Sequence, residues 1–123
     1  MRFICFETDD GVYHFEVNSP STWVEVIGEV FAQKSISQSM LKKIIDESSD
    51  VILVENALTY FNGNLTFDYL NKLMGKFSEK GEDIYYGIVE YCAINKRRVF
   101  LKRYLKSENS ELRKAAHNAL KFI

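Results

Sequence analysis

The first residues of the chain alternate between apolar and polar positions, with the two-residue period of a β-strand. Over residues 3–17 this alternation runs on both sides of Asp10-Gly11, a dipeptide that favours a type I′ turn between two strands. With that turn Phe6 faces Phe15, and one side of the ribbon is apolar while the other is polar. A two-stranded hairpin is marginal alone in water, so we expect its apolar side to pack on helices.

From residue 19 onward the apolar positions recur every three or four residues, as in amphipathic helices. Thr22, Ser37 and Thr66 are typical N-terminal helix caps, and Thr22 forms a capping box with Glu25. Residues 51–54 would also suit a buried strand, but the helical spacing that follows favours a helix over 51–61. Two further helices are predicted near 97–106 and 110–122.

The helical spacing also predicts which side chains form the core. Gly87 lies inside a predicted helix, where glycine is unfavourable, and it therefore suggests a close crossing of two helices. The residues predicted to face inward between positions 40 and 92 are Met40, Leu41, Ile44, Ile45, Val54, Ala57, Leu58, Phe61, Phe67, Leu70, Leu73, Met74, Phe77, Ile84, Ile88, Tyr91 and Cys92.

A chain of 123 residues without a linker or a break in composition is typical of one domain. We therefore predict a single domain over residues 1–123, with a β-hairpin over 1–18 and a helical region over 19–123. The fold class is mainly α, within α+β. The longest apolar run, residues 51–54, is far shorter than the roughly 20 residues of a membrane helix, and acids soon end the apolar N-terminus. We expect a cytoplasmic protein without membrane contact.

The small net charge of −1 conceals a strong asymmetry along the chain. Residues 1–95 carry 7 Lys and Arg against 15 Asp and Glu, a balance of −8, whereas residues 96–123 carry 9 against 2, a balance of +7. Solvated helix faces that attract each other within the fold would explain this division. A surface of one sign that attracts an oppositely charged partner would explain it equally well.

The residue patterns of the common enzyme classes are missing from the sequence. It has no glycine-rich phosphate loop, no nucleophile elbow and no HExxH motif. His14, His117, Cys5 and Cys92 are too few and too scattered for a zinc site, and the cysteines suit a reduced, buried state. We predict no enzyme, no catalytic residue, no metal and no cofactor.

Acids and tyrosines of the central segment are the candidates for contact with a partner. Tyrosine side chains suit interfaces because the ring is apolar and the hydroxyl is polar. An acid that pairs with a partner's Lys or Arg can dominate binding, although each acid would equally serve as a helix cap or a solvated charge. The candidates are Asp46, Glu47, Asp50, Glu55, Glu79, Glu82, Asp83, Tyr69, Tyr85 and Tyr86.

The basic segment at the C-terminal end offers an alternative, because nucleic acids bind rows of cations. Arg98, Lys102 and Lys106 share one helix face, as phosphate contacts require. A solvated helix face produces the same row, and the sequence pI of about 6.1 lacks the basic character of most nucleic-acid-binding domains. We rank nucleic-acid binding third, below two protein-binding functions.

The last part of the chain consists of VFLKRYLK at 99–106, a short polar turn, and ELRKAAHNALKFI at 111–123. With this pattern, residues 96–123 resemble a HEAT-like helical repeat pair. Small residues such as Ala115 and Ala116 would let the two helices approach closely. Residues 66–95 are open to interpretation as a second, weaker pair. The resemblance implies a scaffold that binds other proteins, such as an adaptor, and it implies no catalytic residue.

In size, hairpin start and charge division, the chain resembles the immunity proteins of bacterial toxin–immunity systems, including contact-dependent growth inhibition. That resemblance implies a non-enzymatic inhibitor that binds a cognate toxin domain and blocks its active site. If the toxin is a nuclease, an acidic surface would mimic the phosphates of its substrate. The sequence predicts neither the oligomeric state nor the identity of the toxin.

Overall fold

The computed structural model describes the backbone of residues 2–8, 11–17, 36–79 and 81–123, and the side chains of residues 36–79 and 81–123. The capping box at Thr22, the helix expected after it and the burial of Phe6 and Phe15 lie outside the described residues. The side chains of Cys5 and His14 do as well.

Two antiparallel strands, β1 (Arg2–Thr8) and β2 (Gly11–Val17), form a two-stranded sheet. Phe6 lies opposite Tyr13, and not opposite Phe15 as the Asp10-Gly11 turn predicted. The difference is two residues, and the side-chain period of a strand is also two, so both registers leave the same positions on the same face. The hydrophobic pattern therefore cannot distinguish them.

Beyond residue 35 the described chain is helical. Its six helices are α1 (Gln38–Glu47), α2 (Val51–Tyr60), α3 (Phe67–Lys76), α4 (Asp83–Ile94), α5 (Arg98–Tyr104) and α6 (Ser110–Leu120). The prediction of a helix over 51–61 is confirmed. Among these described residues no helix is long and apolar enough to cross a membrane.

Four of these helices begin at a side chain that accepts hydrogen bonds from unpaired backbone N–H groups. Ser37 and Thr66 cap α1 and α3, as predicted. Asn109 caps α6. Asp50 caps α2, and its carboxylate accepts from the N–H groups of residues 52 and 53 at 3.0 and 3.2 Å. Asp50 therefore stabilises the start of the helix that the apolar run forms.

The helices form three successive pairs, α1 with α2, α3 with α4 and α5 with α6. The second members of the pairs lie side by side, because α4 packs on α2 along one side and on α6 along another. Ring contacts of Phe67 with Phe100 and Tyr104 join α3 to α5. The predicted helix pairs at 66–95 and 96–123 correspond to α3–α4 and α5–α6.

The core lies among the six helices and contains most of the predicted side chains. Those that are partly rather than fully buried are Phe67 and Met74. Ala116 is fully buried on α6, as the small-residue stripe predicted. Gly87 lies at a close approach of α2 and α4, since a Cβ atom there would lie 3.1 Å from the Cα atom of Glu55. The predicted close crossing at Gly87 is confirmed.

The loop between α2 and α3 is held from inside by one side chain of α4. The hydroxyl of Tyr91 accepts a hydrogen bond from the N–H of Leu65 at 2.9 Å and donates to the carbonyl of Gly63 at 2.5 Å. Its ring stacks on Phe61, with centroids 6.5 Å apart. The ring of Phe61 also occupies the space that a Cβ atom at residue 63 would need, so any other residue there would require this ring to move.

Candidate binding face

Gly87 determines where acidic side chains meet on the surface of α2 and α4. Residues four before and three after a helical position share its face, so Asp83 and Glu90 flank Gly87 by one turn on each side. Because residue 87 lacks a side chain, Glu55 of α2 packs against α4 at this point, and its Cγ lies 3.1 Å from the position of the missing Cβ. Three carboxyl groups thus come together from two helices.

The crowding of negative charge in this cluster changes the pKa of Glu55. Burial and the negative charges of Asp83 and Glu90 raise the pKa of Glu55 from its ordinary value of 4.5 to about 7. Asp83 and Glu90 are both negative, so they repel the ionised form of the Glu55 carboxyl. Thr59 supplies a polar contact nearby, with its hydroxyl 3.4 Å from a carboxylate oxygen of Glu90.

The negative surface continues across α4 toward α6. The hydroxyl of Tyr86 donates to the Glu111 carboxylate at 3.3 Å, and the Tyr86 side chain is 44% exposed. Partial desolvation and the charges of Glu111, Glu82 and Asp83 raise the pKa of Tyr86. Glu111 is also paired with Lys114, at 3.7 Å. We call this surface the acidic face; it consists of Glu55, Glu82, Asp83, Tyr86, Glu90 and Glu111.

Asp46 of α1 and Tyr69 of α3 form a separate group, in which Lys42 balances the charge of Asp46. Lys42 binds both carboxylate oxygens of Asp46 at 2.8 Å, and the Tyr69 hydroxyl donates to the same carboxylate. Desolvation raises the pKa of Asp46, but these hydrogen bonds and the positive charges of Lys42 and Lys76 outweigh it, so the pKa lies below 3.8. Asp46 and Tyr69 thus bind each other across two helices.

The remaining candidates lie apart from the acidic face or serve the fold. Asp50 caps α2, Glu47 is exposed and lies 4.0 Å from Lys43, and Glu79 is exposed beyond the end of α3. Tyr85 is partly buried against the core. The structure therefore brings together Glu55, Glu82, Asp83 and Tyr86 and leaves the other candidates elsewhere.

Two members of the acidic face were missed by the sequence analysis. Glu90 follows Asp83 by seven residues, so the helical spacing around Gly87 contained the information that both share one face. Glu111 lies on another helix pair, and only the packing of α6 on α4 brings it to Tyr86.

This arrangement can accept a positively charged group or exchange a proton near neutral pH. A Lys or Arg side chain beside Glu55 would remove the repulsion among the three carboxylates. The described residues contain no group of His, Cys, Asp and Glu side chains arranged to hold a metal ion. No protein-family model, curated protein or solved structure matches this chain.

We expect Glu55 to lower the stability of the protein as the pH rises from about 4.5 to about 7. Between these values the folded chain holds more protons than the unfolded chain, so the free energy of unfolding decreases with pH. Because the carboxyl is partly exposed and screened by solvent, the effect is on the order of 1–2 kcal/mol. Glu55→Gln should therefore be more stable than the native chain at about pH 8 and equally stable at about pH 4.

Urea unfolding of both proteins at the two pH values measures this difference. Glu47→Gln is the matched control, since Glu47 is exposed and its removal should change stability little at either pH. If the native chain and Glu55→Gln lose the same stability between the two pH values, Glu55 is not the group that titrates.

Proposed function

We propose that this protein is a non-enzymatic protein-binding inhibitor of the immunity type. It binds a cognate bacterial toxin domain through the acidic face and blocks the toxin's active site. The observation that carries the proposal is the position of Glu55, which is held beside Asp83 and Glu90 by the close approach at Gly87. Like charges collected in this way destabilise the free protein and become favourable when a cation arrives.

A basic partner would gain from the acidic face in two ways. Its Lys or Arg would pair with carboxylates that repel each other in the free protein, and the charge of the whole face would accelerate the encounter. The exposed Tyr86 adds apolar area within the same surface, as is typical of residues that dominate binding energy. If the toxin is a nuclease, its phosphate-binding cations are the natural counterpart of this face.

We propose that α3–α4 and α5–α6 are HEAT-like pairs, with the hairpin of β1 and β2 packed by its apolar side on the array. The side-by-side row of α2, α4 and α6 supports a stacked array. An immunity protein of this kind acts in the cytoplasm, where it meets the incoming toxin. The same row favours the second candidate function, a HEAT-like adaptor that joins other proteins.

The test is co-expression with the toxin domains encoded beside this gene, combined with binding measurements. The native chain should protect cells from one of these domains and bind it. Glu55→Gln should weaken binding about tenfold, because it removes a partly buried charge pair. Glu79→Gln removes the same charge outside the acidic face and should bind like the native chain.

The pH dependence of binding provides an independent check. A cationic partner binds the ionised form of Glu55, whose pKa in the free protein is about 7, so affinity should fall as the pH is lowered from about 8 to about 6. Glu55→Gln should lack this dependence. Failure to bind or protect against any nearby toxin domain would refute the immunity proposal, while binding to a non-toxic protein would favour the adaptor.

A further inference from the structure

The segment that joins α4 to α5 lines a cavity of about 330 Å³. Its lining consists of Lys96, Arg97, Arg98, Val99 and Phe100, which are three consecutive basic residues followed by two apolar ones. The volume is at the lower end of the roughly 300–1,000 Å³ that small-molecule sites occupy. None of these residues belongs to the acidic face.

Lys96, at the edge of this cavity, has a backbone conformation that favours glycine. Its φ angle is 56°, and among the described residues it is the only non-glycine with a positive φ. The N–H of Arg97 donates to the carbonyl of Cys92 at 2.7 Å and that of Lys96 to Ala93 at 3.2 Å, which is the Schellman ending of a helix. A lysine at the usual glycine position keeps a positive charge at this place against the conformational preference of the backbone.

The two arginines are oriented by contacts that leave further donors available. Nη2 of Arg97 donates to the side-chain oxygen of Asn64, and Nη2 of Arg98 donates to the backbone oxygen of Ile123. The Nε atom of Arg97 is buried and has no hydrogen-bond partner among the described residues. Each guanidinium carries five N–H donors, so both arginines can still bind an anion.

We propose that this cavity binds a phosphate group. Two guanidinium groups and an ammonium group match the charge of about −2 and the three acceptor oxygens of a phosphate monoester better than a single carboxylate. Val99, which is 68% exposed, and Phe100 offer an apolar surface for the group that carries the phosphate. The phosphate belongs either to a small molecule of nucleotide size or to a nucleic-acid strand, and the chemistry of recognition is shared.

NMR titration of the full chain with inorganic phosphate, AMP and a short oligothymidine tests the site. Each probe that binds should shift the backbone amide signals of residues 96–100. Lys96→Gly should raise the melting temperature by a few degrees, because glycine adopts the positive φ without strain, and should weaken binding about tenfold. Arg98→Gln should weaken binding similarly, whereas Lys102→Gln, exposed on α5 outside the cavity, should bind AMP like the native chain.

The oligonucleotide distinguishes the two sources of the phosphate. Tighter binding of oligothymidine than of AMP at the same amides, with a steep loss in salt, would support the site and assign the phosphate to a strand. Equal or tighter binding of AMP would support the site and assign it to a small molecule. The proposal is overturned if no probe shifts the signals of residues 96–100. Equal losses in Lys96→Gly and Lys102→Gln would overturn it too, because they would indicate general attraction to positive charge.

Discussion

Tyr91→Phe should destabilise the protein by about 2–4 kcal/mol, although it removes a single oxygen atom. The Tyr91 side chain is fully buried, and its hydroxyl is the hydrogen-bond partner of both the Leu65 N–H and the Gly63 carbonyl. Phenylalanine keeps the ring contact with Phe61 but removes the partner of two backbone groups, the N–H of the buried Leu65 and the carbonyl of the partly buried Gly63. Each buried unpaired group costs about 1–3 kcal/mol.

The measurement is urea unfolding of the native chain and two variants that lose the same atom. Tyr104→Phe is the matched control, since Tyr104 is buried but its hydroxyl meets Asn71 only at the long distance of 3.5 Å. Its loss should remain under about 1 kcal/mol. Faster amide exchange at Leu65 in Tyr91→Phe alone would locate the damage in the loop between α2 and α3. Equal destabilisation by the two substitutions would contradict this role of Tyr91.

Ala116→Leu should destabilise the protein by about 1–3 kcal/mol through overpacking. Ala116 has no exposed surface, and α6 packs on both α4 and α5. Three additional carbon atoms at this position must displace one of these helices or adopt an unfavourable rotamer. The effect follows from the small-residue stripe that underlies the HEAT-like resemblance.

His117→Leu is the control for this prediction, because it places the same side chain on the exposed face of α6 one residue further along. Thermal unfolding should show a lower melting temperature for Ala116→Leu and a nearly unchanged one for His117→Leu. A silent Ala116→Leu would mean that the packing of α6 on its neighbours has room for a larger side chain, and the close helix contact would be disproved.

The helices and the inward-facing residues were predictable because their causes are local. The spacing of apolar residues determines which face of a helix is buried, and Ser37 and Thr66 mark helix starts by bonding N–H groups within the same turn. Gly87 predicted a close helix crossing because its lack of a side chain is a property of that residue alone and can be read from the sequence.

The tertiary structure alone decided which of these faces meet. Periodicity predicts a buried face but not the helix that covers it, so the encounter of Glu55 with Asp83 and Glu90, and of Tyr86 with Glu111, depended on how α2 and α6 pack on α4. The strand register could not be predicted from the sequence, because a shift of two residues leaves the same positions on the same face of the sheet. The cavity beside Lys96 could not be predicted either. The ending of α4 imposes the left-handed backbone at this lysine, although lysine itself disfavours that conformation.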